Sequence, residues 1–200
     1  MALVNRPSLR QTRRLQTRER LLGAAIAEFK RSGITAADVG AIVSAAGVAH
    51  GTFFFHFPTK EHVLLELERR EEERIAKQLS RFARSNRDLA SILRESVRLV
   101  MGLERRLGAM LFKDFLALHF SQTRPPAEAV DHHPVVVAVT REIEHARTLG
   151  TVDPEVDPMN CAVFFLLGLY ALLTTTHQWP GQAAMLEDYM TRTLRGIRAE

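Results

Sequence analysis

The 200-residue sequence predicts an all-α protein. Three observations carry that expectation. Apolar residues recur at i, i+3, i+4 and i+7 through most of the chain, the spacing of a buried helix face. Gly33, Gly47, Pro58, Gly150 and Pro180-Gly181 punctuate these stretches where helices should stop or turn. Strict apolar/polar alternation, which would mark a half-buried strand, never holds for long. About nine helices result. They divide into a small N-terminal unit over residues 1–58, with 1–12 as a flexible basic arm, and a larger helical unit over residues 59–200. Hydrophobic residues make up 46% of the chain, enough for a sizeable core in each.

The first long helix is expected from about Arg14 to Ser32, with Leu15, Leu22, Ala25, Ile26 and Phe29 on one face and Gly33 ending it. A short helix follows. Thr35 or Asp38 can cap it, since each offers a side-chain oxygen to the free amides of the first turn. Val39, Ile42 and Val43 form its apolar side. Gly47 suits the left-handed residue that closes a helix, and Val48 can pin the turn. A second short helix, about Ala49 to Phe55, ends before Pro58, because proline biases the preceding residue away from helical angles. Thr59 can cap the next helix at Lys60. Helix, glycine turn, helix is the plan of a helix-turn-helix, whose second helix enters the DNA major groove.

The same stretch resembles the N-terminal region of the TetR family of transcriptional regulators. The matching residues are Ala46-Gly47-Val48, Gly51-Thr52-Phe53 and His56-Phe57-Pro58-Thr59-Lys60-Glu61, together with the Arg20-to-Phe29 run and Gly33. Two positions depart from the family pattern. Ala49 stands where the family usually has serine or threonine, and Phe54 where it usually has tyrosine, so two hydroxyls that commonly reach phosphate are missing. The resemblance implies a homodimeric repressor that occupies a palindromic operator and leaves when a small ligand binds. The expected DNA-binding residues are Arg14, Asp38, Ala49, His50, Gly51, Thr52, Phe54, Phe55, His56 and Lys60, with His50, Thr52 and Phe55 best placed for base edges and thymine methyls and Lys60 beside the backbone.

Charge supports DNA as the partner. Residues 1–60 carry nine Lys/Arg against three acidic residues, net +6, whereas residues 61–200 carry eighteen against twenty, net −2. A basic surface confined to one end is the footprint of a protein that meets a polyanion there. Arg6, Arg10, Arg13 and Arg14 lie along the arm, which can reach phosphate or a minor groove.

Past residue 60 the pattern gives a helix to about Arg84. Its stripe of Leu64, Leu67, Ile75, Leu79 and Phe82 is interrupted by the charged run 68–74, and Glu66–Arg70 and Glu73–Lys77 are i,i+4 pairs. Ser85-Asn86-Arg87-Asp88 reads as a break. Helices follow over about 89–101 and 105–120, then a loop from Gln122 to His133. Pro134 opens a helix to Leu149, and Asp157-Pro158 opens another to about Gln178. The last helix runs from Gln182 to Arg198. The two final helices look too apolar for one protomer to cover. Two copies would make a four-helix dimer bundle through Phe165, Leu169, Leu172, Leu186, Met190, Leu194 and Ile197.

No phosphate loop, nucleophile elbow or Cys-x-x-Cys occurs, so no enzyme and no cofactor are expected. Glu142-x-x-His145 is half of a di-metal bundle motif and His132-His133 lies upstream, but the second half is missing, so no metal is expected. His119 and His177 can be polar anchors of a ligand pocket walled by Phe112, Phe115, Phe164, Phe165, Tyr170 and Trp179. With no charged cluster marking that pocket, the effector is expected to be mainly apolar. A single cysteine, Cys161, excludes an intrachain disulfide and suits a reducing cytoplasm. No secretory signal is evident, and the apolar run Cys161–Leu173 is shorter than the about 20 residues a membrane span needs. An architectural DNA binder without an effector is the competing class.

Overall fold

The computed structural model describes residues 8–85, 87–122, 124–125, 133–177 and 179–199. Among them are nine α-helices, one 3-10 turn and no strand; an isolated bridge pairs Val152 with Arg198. The chain divides into two compact units, residues 1–64 and 65–200.

In the first unit, α1 (Leu9–Ala36) starts earlier than the periodicity suggests. Ser8 accepts from the Gln11 amide at 3.2 Å, and the Gln11 side chain accepts from the Ser8 amide at 2.8 Å. This capping box satisfies two first-turn donors and fixes the helix start. Residues 9–12, expected as loose arm, are therefore helical, and Arg10, Arg13 and Arg14 ride on α1. Arg6 and the rest of the arm lie outside the described residues. Leu21, Leu22, Ala25 and Phe29 are buried, while Leu15, expected on that face, is exposed. Gly33 bends the helix at φ 74°, in the region that favours glycine, before one last turn to Ala36.

Next, α2 (Val39–Ala46) is capped by Asp38, whose carboxylate accepts from the amides of Gly40 at 2.8 Å and Ala41 at 3.3 Å. Gly47 adopts φ 62°, and the Val48 amide returns to the Val43 carbonyl at 3.1 Å, closing the helix. The short α3 (His50–His56) lies bent 95° from α2. Phe53 and Phe57, both fully buried, tie it into the unit. α4 (Lys60–Ala83) begins here and continues past the division at residue 64.

The second unit holds the rest of α4 with α5 (Leu89–Leu107), α6 (Ala109–Ala117), the 3-10 turn Leu118–Phe120, α7 (Pro134–Thr148), α8 (Pro158–Thr175) and α9 (Gln182–Ile197). The break between α5 and α6 falls at Gly108, φ 80°, so α5 is longer and α6 shorter than expected. α8 is central, packing on α6, α7 and α9. Asp157 caps it by accepting from the Asn160 amide at 2.7 Å, as the Asp-Pro pair predicts. By composition α8 could cross a membrane, with 18 residues of mean hydropathy 1.6. In the fold Ala162, Phe165, Leu166, Leu169, Tyr170 and Leu173 are core. Tyr189 of α9 stacks on Phe165 and donates to its carbonyl at 2.7 Å. That approach needs Gly168, where any side chain would collide with the Tyr189 hydroxyl.

Candidate nucleic-acid interface and a buried polar cluster

The 95° bend, the left-handed Gly47 and the short second helix are the geometry of a helix-turn-helix. On α3, His50, Gly51, Phe54 and Phe55 are exposed and Thr52 is half-buried. Phe55 is 67% exposed, an apolar surface suited to a thymine methyl. The Arg14 guanidinium lies 5.2 Å from the Phe55 ring centre. Arg18 lies 4.2 Å from the Phe57 ring centre and donates to the His56 carbonyl at 2.5 Å. Basic side chains from α1 thus flank the C-terminal end of α3.

Not every expected contact residue points outward. His56 is buried, and burial, followed by the charges of Arg18 and Arg14, holds its imidazole below the ordinary range. Its side chain packs inside the unit rather than facing outward. Lys60 is committed as well: its ammonium donates to the carbonyls of Thr35 at 2.9 Å and Ala37 at 3.2 Å. Asp38 is occupied by capping. Ala49 opens α3 without a side-chain cap, and the Thr52 amide falls back on the Ala49 carbonyl at 2.9 Å.

In the second unit the expected pocket residues separate. Phe112, Phe115, Phe165 and Tyr170 are buried and His119 is nearly so. The His119 and Tyr170 rings lie 4.7 Å apart. Phe164 at 69% and Trp179 at 57% are exposed and form no wall. His177, 3.9 Å from Glu104, stays near the surface.

What the sequence reading missed is charge. Glu68 and Glu72 are buried on α4. Glu68 accepts from both outer nitrogens of Arg124, at 2.9 and 3.0 Å, and its oxygen is 3.0 Å from His119 Nε2. Burial pushes the Glu68 carboxyl up, but the hydrogen bonds from His119 and Arg124 outweigh it and bring it to about 2. His133 Nδ1 lies 3.2 Å from Glu72 Oε1, and that hydrogen bond raises the imidazole above its ordinary range. Tyr170 is raised by burial and then by the charges of Glu72 and Glu68. The expectation of a pocket without a charged cluster is therefore corrected. The signal was present: Leu64, Glu68, Glu72, Ile75 and Leu79 share one helical stripe, so the two glutamates had to face inward with it.

The expected dimer residues also turn inward. Phe165, Leu169, Leu186, Met190 and Ile197 are buried within the protomer, and Leu172 and Leu194 are partly so. The exposed side of these helices instead presents Phe164, Leu167 and Met185. Glu142 and His145 line a surface groove with Leu194 and Ile197 and join no metal-type cluster among the described residues.

An all-helical chain with this N-terminal geometry falls in the class of helix-turn-helix DNA-binding proteins. Residues 21–67 match the family of bacterial regulatory proteins, tetR family. The transcriptional regulator AcrR of Shigella flexneri is 32% identical over 81 residues, 40% of this chain and 38% of that protein, so the chain matches about two fifths of that relative's length. The fold extends over nearly the whole chain. Thermus thermophilus FadR, a TetR-family repressor solved with lauroyl-CoA, superposes with a TM-score of 0.73 at 23% identity, covering 92% of this chain and 96% of that one. A TetR-family regulator from Pectobacterium atrosepticum gives 0.69 at 18% identity, covering 95% and 98%.

Proposed function

We propose that this protein is a ligand-responsive transcriptional repressor that binds a palindromic operator as a homodimer. The observation that carries the reading is α3 itself: His50, Thr52, Phe54 and Phe55 stand outward on a helix bent 95° from its partner, with Arg14 alongside. Base edges are read by His50 and Thr52, thymine methyls by Phe54 and Phe55, and phosphates by the α1 arginines. The reading predicts cytoplasmic localisation.

Dimerisation is assigned to the exposed side of α8 and α9, where Phe164, Leu167 and Met185 would be covered by the same face of a second copy. The effector is mainly apolar, with a polar end matched to the charged cluster around Glu68. Its site would be walled by Phe112, Phe115 and Phe165, with His119 and Tyr170 at the polar end. Occupancy shifts DNA affinity only as far as the ligand prefers one state over the other; about 2–3 kcal/mol of preference changes it about 30- to 150-fold. α4 runs across the division between the units and is the element through which the two sites can communicate.

The test is a gel-shift assay on duplexes selected from a random pool, repeated with apolar and aromatic compounds. Enrichment of an inverted repeat whose binding a compound abolishes supports the reading. Uniform binding to every duplex, unaffected by any compound, would instead favour an architectural DNA binder.

A further inference from the structure

The buried polar cluster of the second unit carries more than an effector's polar end. Glu68, Glu72 and His133 each offer one ligand atom, and these atoms all lie within 4.8 Å of one another. We propose that these three side chains form a binding site for a first-row divalent cation of the zinc, cobalt or manganese type. The assignment stands on this cluster alone and does not depend on the DNA reading.

Four observations support it. First, the donor set is mixed, one imidazole nitrogen and two carboxylates, which matches borderline divalent ions rather than the soft ions that thiolates select. Second, the donors are not a solvated acidic patch, because the Glu72 side chain is only 6% exposed and that of Glu68 4%. Third, Glu72 Oε2 is buried and has no hydrogen-bond partner among the described residues. A buried acceptor left unpaired is unfavourable, more so when charged, and a bound cation would satisfy it. Fourth, a second imidazole stands in the outer shell: His119 Nε2 lies 3.0 Å from Glu68 Oε1, and its buried Nδ1 has no partner among the described residues.

The geometry needs little change. Donors around a cation at about 2.0–2.2 Å sit roughly 3–4 Å apart, so rotation of the Glu72 and His133 side chains by about an ångström closes the set. The cation would replace the hydrogen bond between His133 Nδ1 and Glu72 Oε1, and Arg124 would continue to neutralise Glu68. It would also tie α4 to the first residues of α7, since Glu68 and Glu72 sit on α4 and His133 immediately precedes α7.

The test uses the full chain after treatment with a chelator. Cobalt(II) is titrated in and followed by its visible d–d bands, and zinc(II) is titrated by calorimetry. One equivalent per chain should bind with a band intensity typical of low coordination number. E72Q and H133A should each weaken binding at least about tenfold, while H145A, outside the cluster, should leave it unchanged. Far-ultraviolet circular dichroism of the metal-free variants shows that they remain helical; if H133A does not, E72Q, which removes a buried charge without changing shape, decides alone. Absence of a cobalt band, or equal affinity in wild type and E72Q, overturns the proposal. Operator binding measured in parallel separates the two readings, since either property can be lost while the other persists.

Discussion

The Arg18 guanidinium lies 4.2 Å from the centre of the Phe57 ring and donates to the His56 carbonyl at 2.5 Å. One α1 side chain thus closes the C-terminal end of α3 twice, through a cation–π contact and a charge-assisted hydrogen bond. Arg18→Ala should therefore lower both the melting temperature and DNA affinity, because the reading helix loses its tether. Arg14→Ala, whose guanidinium stacks on an exposed ring, should lower affinity and reduce the salt slope by about one unit with little change in melting. Thermal melts and salt-dependent binding of the two variants would separate the roles; identical behaviour contradicts them.

Lys60 behaves differently from a free surface lysine. Its ammonium already serves two carbonyls at the end of α1. Lys60→Met should destabilise the N-terminal unit by about 1–2 kcal/mol and leave the salt slope of DNA binding unchanged. A drop of one full unit in that slope would show that the ammonium leaves the carbonyls for phosphate.

Phe164→Arg should convert a dimer into monomers and weaken operator binding without unfolding the chain, since the side chain is exposed in the protomer. Leu169→Arg should abolish folding instead, because Leu169 is fully buried. Sedimentation velocity with circular dichroism distinguishes the outcomes. A dimeric, folded Phe164→Arg protein would remove this face from the interface.

His56 makes the N-terminal unit acid-sensitive. Its pKa is lowered in the folded state, first by burial and then by Arg18 and Arg14. The unfolded chain therefore takes up a proton at higher pH than the folded one. Stability is constant well above about 6.5, the ordinary histidine value, and falls as pH drops below it toward the folded value. His56→Gln should flatten the fall between pH 7.5 and 5.5, whatever it does to stability at pH 7.5. An unchanged slope would mean that other groups dominate. The pH limits are about one unit either side of the ordinary value.

Much of this fold was legible because its boundaries are local chemistry. Gly47, Pro58, Asp157-Pro158 and Gly150 mark ends that need no tertiary information. The start of α1 was missed because the Ser8–Gln11 capping box is not followed by an apolar run; Leu9 and Leu15 are both exposed. The direction in which a helix faces was harder to read. α8 is apolar nearly all round, so periodicity could not say that Phe165 and Leu169 turn inward and Phe164 outward. The buried cluster was hidden in the charged run 68–74, where the i,i+4 spacing of Glu66–Arg70 and Glu73–Lys77 pointed to pairing along the helix surface. Glu73 pairs back to Arg69, and only the stripe shared with Leu64 and Ile75 distinguishes Glu68 and Glu72 from their neighbours.

The central claim is that α3 reads sequence as one half of a two-fold pair. Selection of bound duplexes from a random pool, followed by the same selection with Thr52→Ala, tests it most directly. The account predicts an inverted repeat with half-sites about one helical turn, roughly 34 Å, apart and a changed base preference within each half-site for the variant. Selection of no common sequence, or the same sequence by both proteins and by Phe55→Ala as well, would contradict it.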